Sequence, residues 1–187
     1  MREMMMLALL ALLALPAQAE ECFSGRPAQV RYDDGHTVTI IQRHGDDVTF
    51  TEPYAGGNDA VQKTHLMLFP KQARFGARGV EHRWTSRLPK LGDLTPGYRF
   101  DLKGTMKSGD TPAIAYRNEG QVLGQEEVKI GACVYPALVI AKNTYLDGKL
   151  AITATEYLSP DMMIILRAEA VLISDGQKTA YRAVAIR

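Results

Sequence analysis

The chain is poor in aromatic side chains, at 7%, and carries one tryptophan and two cysteines. Sparse aromatics argue against the girdles that flank the lipid-facing strands of a transmembrane β-barrel. The C-terminal segment, which runs through Ala, Val and Ile to Arg187, lacks them too. Charge of one sign is also missing: 22 basic and 21 acidic residues leave +1, too little for broad electrostatic capture of nucleic acid or anionic lipid. No Cys-x-x-Cys, Gly-x-Ser-x-Gly, Walker loop or dinucleotide fingerprint occurs, so thiol exchange and nucleotide chemistry have no signature here, and no hydrolase serine can be singled out.

Long apolar runs are confined to the start. Arg2 precedes an apolar stretch from Met4 to Leu15, followed by Pro16 and Ala17-Gln18-Ala19. That order is the order of a secretory signal peptide, and the run falls short of the roughly 20 residues a spanning helix needs. We therefore expect cleavage after Ala19, a periplasmic location, and one β domain over residues 20–187 that does not span the membrane. Lipid attachment at Cys22 is disfavoured because Glu20 and Glu21 stand where lipoprotein processing wants small residues. In an oxidising compartment the pair Cys22 and Cys133 is expected to form a disulfide closing a loop of about 110 residues.

What remains reads as strand. Short alternating segments recur between Gly, Pro, Asp and Asn, clearest over Tyr98–Lys107, where Tyr98, Phe100, Leu102 and Met106 share one parity and Arg99, Asp101, Lys103 and Lys107 the other. Further strands are predicted over residues 29–32, 36–43, 48–52, 61–69, 80–86, 113–117, 121–130, 133–143, 150–157, 163–173 and 179–186. Turns at Asp33-Asp34-Gly35, His44-Gly45-Asp46-Asp47, Asp147-Gly148 and Asp175-Gly176 make neighbours antiparallel. The continuous apolar run Val134–Ala141 is expected to be covered on both faces, and 53–60, 71–79 and 87–97 read as surface loops. The fold class is all-β: an antiparallel meander in a strongly curved sheet, half-barrel or flattened barrel.

The segment Glu127-Val-Lys-Ile-Gly-Ala-Cys133-Val-Tyr-Pro-Ala-Leu-Val-Ile140, the step Thr155-Glu-Tyr157-Leu-Ser-Pro160-Asp161-Met162, and Leu94-Thr-Pro96-Gly97 resemble the layout of uncharacterised exported proteobacterial β proteins. The resemblance covers about residues 88–173. It implies a twisted sheet curled toward a half-barrel, distantly like periplasmic lipoprotein carriers, and it implies no activity. Met162 and Met163 stand where that group often has Gly.

Candidate functional residues follow from facing. With 61–69 and 80–86 as strands, His65 shares a face with Met67 and Phe69, and His82 with Trp84; with Phe100 and Met106 they would line a concave surface for an apolar or lipid-like ligand or an envelope partner protein. For any one of them ordinary core is the commoner reading. No metal site is expected from His36, His44, His65 and His82, since no ligand spacing such as His-x-His supports one, and no cofactor is expected. The stretch Lys71, Arg74, Phe75, Arg78, Arg83, Trp84, Arg87 and Lys90, with Glu81 its one acid, reads as a solvated face, with an anionic envelope polymer or headgroup as the functional alternative. The expected role is non-enzymatic binding; the alternative is hydrolysis of an envelope polymer.

Overall fold

The computed structural model describes residues 22–53 and 59–187, so the predicted export segment, its predicted cleavage site and the middle of the 53–60 loop lie outside the described residues. Twelve strands follow one another along the chain: β1 (Gln29–Tyr32), β2 (Thr37–His44), β3 (Asp47–Pro53), β4 (Asp59–His65), β5 (Phe69–Phe75), β6 (Arg78–Trp84), β7 (Arg99–Ser108), β8 (Ile114–Ile130), β9 (Cys133–Leu146), β10 (Lys149–Ser159), β11 (Ile164–Leu172) and β12 (Lys178–Ile186). Each pairs antiparallel with its sequence neighbours, and β1 pairs with β12, so the meander closes into a barrel. Of the curved arrangements expected for the meander, the barrel is the one formed, and it is closed. Among the described residues the helical structure is one 3-10 turn, Leu91–Asp93.

Alternation holds through most of the wall. Along β8, Tyr116, Asn118, Val122, Val128 and Ile130 are buried, while Gln125, Glu126, Glu127 and Lys129 are exposed. A polar outer face with an apolar interior is the reverse of a lipid-facing wall. Closure needs strong coiling, and register shifts that leave an extra residue in β2, β5, β8, β10, β11 and β12 supply it. Gly120 serves packing: an added Cβ would meet the Ala141 carbonyl oxygen at 2.3 Å and the Phe100 ring at 2.6 Å.

Three sequence expectations change. The predicted strand 61–69 breaks at Leu66 and Met67, whose φ values of 55° and 59° make a tight hairpin turn closed by Leu68 N–H donating to the His65 carbonyl. The predicted loop 71–79 is largely strand β5 and its turn. The predicted strands 113–117 and 121–130 are one, β8, continuous through a bulge between Val122 and Gly124. Two-sided cover of Val134–Ala141 holds from Ala137 to Ile140, whereas Val134 is 50% exposed.

In an up-and-down meander the turns alternate between two ends of the barrel. One end collects the β4–β5 turn, the β6–β7 loop, the β10–β11 turn and the segment before β1. Leu66, Leu68, Leu94, Met162, Met163 and Ile164 are buried there, with Leu88, Leu91 and Phe23 packed against the core. The opposite end carries the turns β1–β2, β5–β6, β7–β8, β9–β10 and β11–β12. The first end is sealed by apolar side chains, and the disulfide Cys22–Cys133 holds the segment before β1 to it, with Phe23 N–H donating to the Tyr135 hydroxyl at 3.0 Å.

Because the bond spans 111 residues of sequence, the chain-entropy relation gives it about 4–5 kcal/mol. Cys22→Ser/Cys133→Ser is expected to fold to the same barrel with a lower urea midpoint and a somewhat higher m-value, since the unfolded chain without the cross-link exposes more surface. A midpoint equal to wild type would show that the N-terminal segment is held by packing alone.

Candidate functional site

The lumen has two unlike halves. Over β5 to β8 it is filled with rings: Phe69 lies edge-on to Phe100 at 5.3 Å between centroids and to Trp84 at 6.2 Å. Tyr116 in turn meets Trp84 at 5.2 Å and His82 at 4.5 Å. Trp84 donates its indole N–H to the Pro70 carbonyl at 2.8 Å. Burial pushes the Tyr116 hydroxyl up to about 12 and the His82 imidazole down to about 4. The His82 Nδ1 is buried and meets no hydrogen-bond partner among the described residues. Such packing is solid core.

Four of the residues singled out in the sequence, Phe69, His82, Trp84 and Phe100, therefore come together as core, and Met106 pairs across the strands with His82. His65 touches them only at the edge, its ring 6.5 Å from that of Phe69. It keeps the β4 parity of Val61 and Lys63, which the turn separates from Met67 and Phe69, and its ring bridges Asp47 (3.0 Å) and the Pro89 carbonyl (2.7 Å), fastening the β6–β7 loop. Asp47 also takes the Lys71 ammonium at 2.8 Å; burial alone would raise its carboxyl, but the bonds from Lys71 and His65 outweigh it and hold the carboxyl below its usual value. Met67 is the member of the set that lines the open half of the lumen.

That space is the other half of the lumen, a cavity of about 550 Å³ bounded by β1–β5 and β10–β12. Met67 and Leu68 form part of its floor at the sealed end, and Val38 and Phe50 stand above them. Toward the open end it carries Asp34, His36, Glu52, Gln62, Thr179 and Tyr181. The rings of Tyr32 and His36 stack at 4.3 Å, and Tyr181 meets Tyr32 edge-on at 4.9 Å. The Tyr32 hydroxyl donates to the Ile165 carbonyl at 2.7 Å, where β11 runs beyond its pairing with β12.

Electrostatics set the wall's character. Burial raises the Glu52 carboxyl above its usual value although His36 and the Gln62 side chain, which donates to it, pull the other way. Burial also raises both tyrosines, and the carboxylates of Glu52 and Asp34 add to the effect on each. Lys142 crosses from β9 to donate to the Leu68 carbonyl (2.8 Å) and to Glu156 Oε1 (3.0 Å), with Oε2 at 2.9 Å but without an aligned donor. This ion pair, 10% and 16% exposed, pins the β4–β5 turn in place. Among the described residues no three His, Cys, Asp or Glu side chains gather as a metal set.

The cavity's polar residues had a readable signal that the sequence reading did not use. Glu52 is in phase with Val48 and Phe50, Lys142 with Leu138 and Ile140, and Glu156 with Ile152 and Leu158. A charged residue on the apolar parity of a strand marks an interior polar site.

No family model matches the chain, and no curated relative matches it. Among solved structures, the crystal structure of the hypothetical lipoprotein YmcC from Escherichia coli K12 has a similar fold, with a TM-score of 0.53 over 84% of this chain and 82% of that one at 10% identity.

Two outcomes follow. Lys142→Met leaves Glu156 buried without its cation and the Leu68 carbonyl without its donor, so unfolding free energy should fall by about 3 kcal/mol; Lys142→Met/Glu156→Leu should recover most of that. Equal losses in both variants would mean that the pair contributes through packing only. His82 has a folded-state pKa of about 4 against 6.5 for the free side chain. The unfolded chain therefore takes up the proton first, and the stability present above pH 6.5 is lost as pH falls toward 4. After allowance for solvent screening the loss is on the order of 2 kcal/mol. His82→Leu should flatten that part of the wild-type melting profile, and an unchanged acid slope would assign it to other groups.

Proposed function

We propose that the chain is a non-enzymatic binding protein of the bacterial cell envelope whose half-open barrel holds a small amphipathic ligand. The observation that carries the reading is the lumen cavity. About 550 Å³ lies in the range of small-molecule sites, and its apolar floor and carboxylate-bearing upper wall suit a ligand with an apolar tail and a hydroxyl or ammonium head. The envelope assignment is supported by the N-terminal export pattern, by the disulfide, and by the name of the lipoprotein that shares the fold. Against the expectation of a purely apolar concave face, Asp34, Glu52 and Gln62 favour a ligand with a polar end. A buried carboxylate left unmatched is costly, so a bound cation gains from meeting one.

A second reading, hydrolysis of an envelope polymer, is favoured by one feature: Glu52 and Glu156 line the same cavity in different surroundings, one desolvated beside Gln62 and the other paired with Lys142. Paired carboxylates in unlike settings are the raw material of acid/base catalysis.

Calorimetry with octylamine, octanol and octanoate separates the possibilities, because the tail is constant and the head changes charge. Octylamine is expected to bind best, Thr179→Trp to block all three by filling the open end, and Glu52→Gln to remove the preference for the amine. Binding that survives Thr179→Trp, or no binding of any probe by the folded chain, would overturn the lumen reading. Release of reducing ends from an envelope polysaccharide, lost in both Glu52→Gln and Glu156→Gln, would establish the hydrolase instead.

A further inference from the structure

The outer wall is electrostatically lopsided although the chain as a whole is near neutral. Residues 59–108, which form β4 to β7, hold ten basic and four acidic side chains. Some of that charge is matched: Lys71 by Asp47, and Arg83 by Glu81. Arg74 and Arg78 are exposed and have no hydrogen-bond or ion-pair partner among the described residues, and Lys63 reaches Asp47 only at 3.8 Å. Unmatched like charges on one wall repel one another and raise the local potential, a cost that a bound anion relieves.

The register gives this charge a shape. Across the outside of the barrel, Gln42 pairs with Thr49, Thr49 with Lys63, and Lys63 with Gln72. In the adjacent row Val61 pairs with Arg74, and Arg74 with Gly79. Gln42, Thr49, Val61, Lys63, Gln72 and Arg74 line a trough of about 290 Å³ that crosses four strands. An added Cβ on Gly79 would meet nothing nearer than a carbonyl oxygen at 4.0 Å, so the ground beside Arg74 stays open.

We infer that this outer trough over β2–β5 binds an acidic polysaccharide, with Lys63 and Arg74 on its carboxylates. Arg presents a planar fork that takes a carboxylate with two parallel hydrogen bonds, and Lys adds a mobile point charge. Gln42, Thr49 and Gln72 supply amide and hydroxyl groups that both donate and accept, as ring hydroxyls require. Val61, 39% exposed on the floor, offers an apolar spot for the C–H face of a sugar ring. A lipid phosphate would use the cations but has no need of the amide and hydroxyl row, and a flat bilayer meets a convex barrel wall along one stripe instead of filling a trough. The surplus on β4–β7 extends beyond the trough, which suits a polymer with repeated charges.

The test uses the exported, disulfide-bonded chain with polygalacturonate, neutral dextran and vesicles containing phosphatidylglycerol. Polygalacturonate is expected to bind, to weaken steeply with added salt, and to lose about tenfold or more in affinity in Lys63→Gln/Arg74→Gln, one charge-assisted hydrogen bond being of that order. Lys178→Gln, in β12, and the lumen variant Thr179→Trp should leave it unchanged, so this inference and the lumen reading can fail separately. The exposed Gln substitutions are expected to preserve the wild-type melting temperature, which keeps a loss of binding attributable to charge. Equal binding of dextran, unchanged affinity in the double variant, or binding to the vesicles without binding to polygalacturonate would each overturn the inference, the last in favour of a membrane-facing patch.

Discussion

The pairing of β1 with β12 is the contact on which the lumen depends, because without it the meander has two free edges and no inside. That contact is short. Val30, Arg31 and Tyr32 meet Ile186, Ala185 and Ala183 through a register shift, and the terminal Arg187 carbonyl accepts from Ala28 and Gln29. A four-residue strand supplies few ladder bonds, so its position has to be held by other means. The disulfide fixes the segment before β1 to β9, the Tyr32 hydroxyl reaches the Ile165 carbonyl, and Val30 is wholly buried. Closing the sheet leaves no long exposed edge to template aggregation, and it also forces the interior to be filled or left as cavity.

Filling is uneven because the two halves of the chain supply different side chains. Strands β5 to β8 send in Phe69, Trp84, Phe100 and Tyr116, which need space on facing strands; Gly120 leaves room for Phe100, and at Gly104 a Cβ would lie 2.4 Å from the Arg83 carbonyl oxygen. Strands β1 to β4 and β10 to β12 send in fewer rings and more polar groups, among them Glu52, Gln62, Glu156 and Thr179, and the cavity lies between them. Between the halves stands the β4–β5 turn. Two left-handed residues without glycine cost about 1–2 kcal/mol each, while a fully buried Leu returns about 1.5–3 kcal/mol. Leu66 and Leu68 are both fully buried, so the turn is held by what it buries, with Lys142 as a clamp on its carbonyl.

These magnitudes explain what the sequence could and could not convey. Alternation reports the local facing of side chains, and it located eleven of the strands well enough to make the meander plain, including the inward faces of Tyr98–Lys107 and 80–86. The Leu66-Met67-Leu68 turn was illegible because its residues are apolar and carry none of the Gly or Asn that positive φ ordinarily requires. In contrast, Asp147-Gly148, with φ of 47° and 76°, was read correctly. Missing the turn carried His65 onto the wrong face and turned β5 into a loop, since Pro70, Lys71 and Arg74 look unlike a strand when taken alone. Closure was illegible for another reason: it joins residues some 150 positions apart, and no local pattern encodes a pairing of that range.

The candidate site was less legible than the fold because attention to hydrophobic and aromatic residues selects core. Phe69, Trp84 and Phe100 are the side chains best able to fill space, so they mark where the lumen is closed. A cavity survives where the inward positions carry groups that resist close packing, and Glu52, Gln62 and Glu156 are such groups: each must keep a polar partner, and each holds neighbours at hydrogen-bond distance instead of letting them collapse onto it. The same reasoning applies outside the barrel. Charges on β4–β7 that find partners, as Lys71 and Arg83 do, stabilise the wall, whereas Arg74 and Arg78 leave their charge directed at solvent. In this barrel Lys142 and Glu156 hold the β4–β5 turn, whereas Glu52 on the upper wall of the lumen and the unmatched cations outside are placed to meet something other than the chain itself.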